Sequence, residues 1–133
     1  MTQVRYLSVL DVIALHAAVT EQTGSLPAPL RSQALLESAT MRPQMAAHYK
    51  GADLVRQCML LAVGLSQAQA FLDGNTRTAF AAADVFLRLN GLAFAGEPLE
   101  LARRLEDVAS RESSLSEATD RFEAWLRRQV EPL

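Results

Sequence analysis

Residues 69–77 read Gln-Ala-Phe-Leu-Asp-Gly-Asn-Thr-Arg: an acid, a Gly-Asn turn and an arginine fall within five positions, and an apolar run follows. A helix beginning near Asn75 leaves the amides of its first turn without intrahelical acceptors. Those amides and the positive end of the helix dipole together make a site for an anion. Gly74 permits a positive φ and lets a bulky ligand approach the backbone. Asn75 can cap the helix or reach a phosphate oxygen, and Arg77 brings a planar, permanently charged fork suited to phosphate. Asp73 would repel a bare phosphate, and a divalent cation between the two removes the conflict. Mg²⁺ is held by one or two carboxylates plus the phosphates themselves, so the set points to a nucleotide bound as its magnesium complex. The same residues also fit a plain Asp-Gly turn, with Asn75 as an N-cap and Arg77 on a solvated face. Chemistry alone leaves both readings open.

Helical spacing dominates the elements that would position this segment, and strand signals are nearly absent. A first helix starts at Ser8, where Ser8-Val9-Leu10-Asp11 reads as a capping box. It runs through Leu10, Ile13, Ala17 and Val19 and stops at Gly24, with Pro27 and Pro29 closing it off. A second covers 30–40, with Leu35, Leu36 and Ala39 on one side, and Pro43 ends it. Residues 42–52 read as a loop or a short hairpin. The third helix, 52–68, places Leu54, Cys58, Leu61 and Leu65 on one face. The fourth, from Asn75 to Asn90, carries Ala79, Ala81, Ala82 and Ala83, which let neighbours approach closely and mark it as the central helix. A fifth covers 97–110. A sixth opens on Ser114-Leu115-Ser116-Glu117, a second capping box, and buries Leu115, Ala118, Phe122, Trp125 and Leu126. The expectation is an all-α, compact single domain over 1–133, with about six helices around the one at 75–90.

Bulk properties narrow the function classes. The chain has 133 residues, half of them apolar, enough for one packed core. Its formal charge of −2 lacks the basic footprint of a nucleic-acid binder. The apolar stretch at 53–63 is too short to cross a bilayer and is interrupted by Asp53 and Arg56, so no membrane association is expected. The opening MTQVRYLS lacks a long apolar core and a cleavage signal. The single Cys58 forms no intramolecular disulfide and sits among Met59, Leu60 and Leu61, as a core residue would. Together these fit a reducing, cytoplasmic setting.

The 69–77 segment resembles the signature of the Fic/Doc (Fido) superfamily, His-x-Phe-x-Asp/Glu-Gly/Ala-Asn-Lys/Gly-Arg. Its continuation, Thr78-Ala79-Phe80, is similar to the death-on-curing (Doc) branch. Tyr6-Leu7-Ser8, Asp11-Val12, Leu15-His16, Leu35 to Ala39 and Arg42-Pro43-Gln44 resemble that branch's opening. Val85-Phe86-Leu87 with Leu89-Asn90-Gly91 resembles the end of its central helix. The likeness covers 4–92 in order. It implies a compact helical Fido domain in which the 70–74 loop and the start of the fourth helix bind ATP, or another nucleoside triphosphate, with Mg²⁺. Asp73 would bind the metal, and Phe71, Gly74, Asn75, Thr76 and Arg77 would surround the nucleotide. Doc-branch toxins transfer the terminal phosphate to a hydroxyl on a translation elongation factor, and an antitoxin neutralises them by laying a helix on the toxin.

Two positions depart from the signature. Active members use its histidine to take the proton from the attacking hydroxyl, a role that suits imidazole. Gln69 stands there, and a carboxamide has no comparably basic lone pair, although it can orient a hydroxyl. Thr76 replaces the usual lysine, keeping a hydroxyl but losing a positive charge. Both changes point to an impaired or silent member. A third difference, Phe80 where adenylyltransferases have a second arginine, argues against nucleotidyl transfer. His16 reads as a structural histidine and His48 as a surface one. Asp84 and Arg88 read as a structural ion pair, the charges from Glu100 to Glu112 as a solvated face, and Phe122 with Trp125 as core. Two functions follow: a Doc-like protein kinase with a weakened site, or a non-catalytic Fido module that binds nucleotide or a partner protein.

Overall fold

A computed structural model of the chain describes residues 3–24, 26 and 28–133. Six helices run in order: α1 (Val9–Gln22), α2 (Gln33–Lys50), α3 (Leu54–Ala68), α4 (Asn75–Leu89), α5 (Pro98–Ala109) and α6 (Leu115–Gln129). The all-α expectation holds, and four of the six helix starts carry a side-chain cap. Ser8 and Asp11 form a reciprocal capping box at α1. Ser32, Asp53 and Ser114 each accept an amide from the first turn of α2, α3 and α6. Pro27 lies outside the described residues.

α3 and α4 form the centre. Cys58, Met59, Leu61 and Ala62 of α3 and Ala79, Ala82, Ala83 and Phe86 of α4 are all buried. The alanines bring α4 close to its neighbours, as their spacing predicts, and α1, α3 and α5 all pack on it. Cys58 is fully buried, and its thiol donates to Ala83 O at 3.7 Å. Burial first, and the nearby Asp84 carboxylate second, push it up to about 12. Phe122 and Trp125 are core, and Asp84 pairs with Arg88, as expected.

Pro43 does not end α2; the helix continues to Lys50, so 42–50 is helix where a loop or hairpin was expected, and only 51–52 lie in the connection to α3. A proline removes one donor and crowds one carbonyl. Here it is buried, where α2 lies close to Gly64 of α3, so packing outweighs the local defect. Gly51, at φ 63, makes the real stop. The helix also begins at Gln33, later than expected, because Ser32 is its cap. Leu115 is 42 % exposed, since it is the first residue of its helix and lies beyond the packed face; Leu10 and Leu35 also face solvent. Two short strands had no signal in the sequence: β1 (Leu92–Phe94) pairs antiparallel with β2 (Val130–Pro132) and returns the C-terminal segment to the end of α4.

Candidate functional site

The 69–77 segment bridges α3 and α4. α3 closes on Gln69, whose φ of 52 is the one positive value at a non-glycine among the described residues. This left-handed turn reverses the chain, and its side chain holds the reversal. Gln69 Nε2 donates to Ser66 O at 2.8 Å, and its Oε1 accepts from Asn75 Nδ2 at 3.4 Å. Asn75 is buried and does more of the same work. It accepts the Phe71 N–H at 3.2 Å and donates to Phe71 O at 2.9 Å.

Three layers hold the loop from below. The connector between α1 and α2 pairs with it: Ala70 O accepts the amides of Arg31 and Ser32, and Pro29 O accepts that of Leu72. The Phe71 ring is buried and stacks on His16 at 3.7 Å and 6°. His16 Nε2 lies 2.9 Å from Asp73 O; a carbonyl can only accept, so this nitrogen carries the proton. His16 is therefore structural, as its sequence setting predicts, and reaches 57 residues along the chain to do it. His48 is exposed near the end of α2 and packs on Tyr49.

Gly74 is the N-cap of α4 at φ 79, with no side-chain cap. A Cβ there would lie 3.4 Å from His16 Nε2. Thr78 N–H donates to Gly74 O at 3.0 Å and opens the helical ladder, so the amides of Asn75, Thr76 and Arg77 precede any intrahelical acceptor. Asp73 is exposed, and its Oδ1 accepts the Gly74 N–H at 2.8 Å, which keeps the carboxylate beside the helix start. Arg77 is exposed and, among the described residues, its guanidinium has no ion pair or hydrogen bond.

A cavity of about 370 Å³ opens in front of this helix end. Gln69, Asp73, Gly74, Asn75, Thr76 and Arg77 line it, with Leu72 at one side and Ala102 and Glu106 of α5 on the other. Phe71 is not on its wall; its ring lies against His16 and supports the loop. The Asn75 carboxamide is engaged by the loop, so its free donor toward the cavity is the backbone amide. Sequence reasoning missed Glu106, which was grouped with the solvated face of α5. The one signal in the chain was its place a turn beyond the small Ala102.

The cavity's charges are two carboxylates against one guanidinium, an unfavourable balance for a bare phosphate. A divalent cation reverses it. Among the described residues no cluster of three or more His, Cys, Asp or Glu could hold a metal alone. Hard oxygen donors in such small number would suit an Mg²⁺ ion that keeps most of its ligands from phosphates and water, and Asp73 is the carboxylate at the helix start that could hold it.

Residues 6–87 match the family model described as the Fic/DOC family. The chain is 33 % identical over 119 residues to "Protein kinase doc" of Escherichia phage P1, covering 87 % of this chain and 91 % of that protein. It is 36 % identical over 92 residues to "Toxin Doc" of Mycolicibacterium smegmatis, covering 65 % of this chain and 69 % of that one. No helix among the described residues is long and apolar enough to cross a membrane.

Proposed function

Because the chain belongs to the Fic/DOC family, we propose that it is a Doc-like toxin-type transferase. It takes a phosphoryl group from a magnesium-bound nucleotide, ATP or a related triphosphate, to a hydroxyl on a protein of the translation machinery such as an elongation factor. It acts in the cytoplasm and is neutralised by an antitoxin partner. The observation that carries this reading is the shared cavity: Asp73 and Arg77, the latter without an ion pair among the described residues, line it together with the free amides at the start of α4.

Phosphoryl transfer needs mainly positioning and charge stabilisation, which such a site is built to supply. The amides of Thr76 and Arg77, the Thr76 hydroxyl and the Arg77 fork hold phosphate oxygens. Asp73 holds the metal, whose charge offsets that of the phosphates. Gln69 is the weak point. Its amide is engaged by Ser66 and Asn75, and it cannot take the proton of the attacking hydroxyl. Loss of a general base lowers a rate by about 10²- to 10⁴-fold. Phe80 packs edge-on against Phe94 and provides no second arginine, which favours phosphoryl over nucleotidyl transfer.

The engagement of Gln69 also favours a second reading, a silent module that binds nucleotide or an antitoxin-like helix without turnover. One experiment separates the two. Purified protein and Gln69→His are incubated with γ-labelled ATP, Mg²⁺ and a bacterial elongation factor, and the target is weighed by mass spectrometry. The expected result is the mass of one phosphate, at least ten-fold more of it with the histidine variant. Folded Gln69→His that binds Mg-ATP by calorimetry but transfers nothing would favour the silent module. Adenylate on the target would assign nucleotidyl transfer instead.

A further inference from the structure

Gln69 leaves the proton of the attacking hydroxyl without an acceptor, and neither histidine can replace it. His16 lies beneath the loop with its Nε2–H on Asp73 O, and His48 is not on the cavity wall. Three ionisable side chains line the cavity: Asp73, Arg77 and Glu106. A guanidinium does not accept a proton. Asp73 sits at the helix start, where the metal and phosphates belong. Glu106 lines the same cavity from a different element, α5.

Two further observations single it out. The neighbouring acid Glu100 takes both arginines within reach on this helix, pairing with Arg103 and with Arg104. Among the described residues the Glu106 carboxylate has no partner, though its backbone oxygen accepts from Ser110. The helix face it shares with Ala102 is turned to the cavity, while Leu101, Leu105 and Val108 are buried against the core. A carboxylate is also an adequate base for this chemistry, since protein kinases use an aspartate to accept the substrate hydroxyl proton.

We propose that Glu106 is the proton acceptor of this site, a catalytic residue contributed by α5 in place of the missing signature histidine. The inference rests on the transferase reading above. The acceptor hydroxyl oxygen forms a bond to the terminal phosphorus, and the bond from that phosphorus to the bridging oxygen breaks. The nucleoside diphosphate leaves with the electron pair, and the hydroxyl proton passes to the Glu106 carboxylate.

The test is a cycle of Glu106→Gln and Gln69→His, assayed as phosphate transfer from γ-labelled ATP to the elongation factor across about pH 6 to 8. Glu106 is exposed, and circular dichroism checks that each variant is folded. Glu106→Gln should lower transfer by the native chain at least ten-fold but that of Gln69→His less than three-fold, because the imidazole takes over the proton. The native rate should be nearly flat over this range, whereas that of Gln69→His should rise as imidazole deprotonates near pH 6.5. Equal losses in both backgrounds would make Glu106 structural, and a gain in the native background would make it a barrier to phosphate; either overturns the proposal. So does an inactive native chain beside an active Gln69→His, a result that leaves the transferase reading intact. Inactivity of both sinks the two together.

Discussion

The Nε2–H of His16, in the middle of α1, donates to the backbone carbonyl of Asp73 at 2.9 Å, and the same imidazole lies flat on Phe71. One buried ring therefore sets both the height of the loop and the direction of its Asp73–Gly74 peptide. The Asp73 carboxylate, on the same residue, is steered by a side chain that is not on the cavity wall.

His16→Phe keeps a flat ring under Phe71 and removes the hydrogen bond, leaving the Asp73 carbonyl without its donor. The expected loss of stability is about 1–3 kcal/mol, read by denaturant unfolding. Amide exchange at Gly74 and Phe71 should quicken. Unchanged exchange with reduced stability would mean that ring stacking, and not the hydrogen bond, holds the loop.

Gly74→Ala places a Cβ at φ 79 and 3.4 Å from the His16 ring. The backbone term alone is about 1–2 kcal/mol. Because the strain sits at the N-cap of α4, the variant should lose Mg-ATP affinity in calorimetry as well as stability. An equally stable variant with native affinity would show that the left-handed turn is not required.

Asp53 joins two helices. Its Oδ1 caps α3 at Arg56 N–H, and its carboxylate accepts from both terminal nitrogens, Nη1 and Nη2, of Arg127 in α6, at 2.8 and 3.2 Å. The Arg127 hydrogen bonds, and then the Arg56 amide, hold this carboxyl below the usual aspartate range. A depressed folded value contributes stability above the unfolded value, near pH 3.9. That stability disappears as pH falls through the folded one. Asp53→Asn should therefore flatten the acid limb of the stability curve below about pH 4. Both side chains are about half exposed, so the ion pair itself contributes less than about 1 kcal/mol. Asp53→Ala, which also removes the cap, should cost about 1 kcal/mol more at neutral pH. Identical acid limbs for native protein and Asp53→Asn would exclude the linkage.

The elements that were legible are those whose causes are local. Ser8 with Asp11, and Ser114, announce helix starts because a cap acts within three residues. The alanines of α4 announce close packing because side-chain volume is a property of the residue. Pro43 misled because its effect is a competition: the local defect is certain, but burial in the α2–α3 contact decides the outcome. The pairing of 92–94 with 130–132 was invisible because three-residue strands have almost no periodicity, and their partners meet only after α5 and α6 have packed.

For the site, the chain alone placed the acid, the glycine, the arginine and the free helix-start amides together, since all of them lie within one loop and one helical turn. It also determined the absence of the signature base at Gln69. Tertiary structure decided the rest. It put His16 under Asp73, tied Gln69 and Asn75 into the loop, and brought Glu106 of α5 to the cavity wall. Those relationships join residues on different helices. Their geometry depends on how apolar faces pack, which acts through the whole core and leaves no mark at a fixed spacing in the sequence.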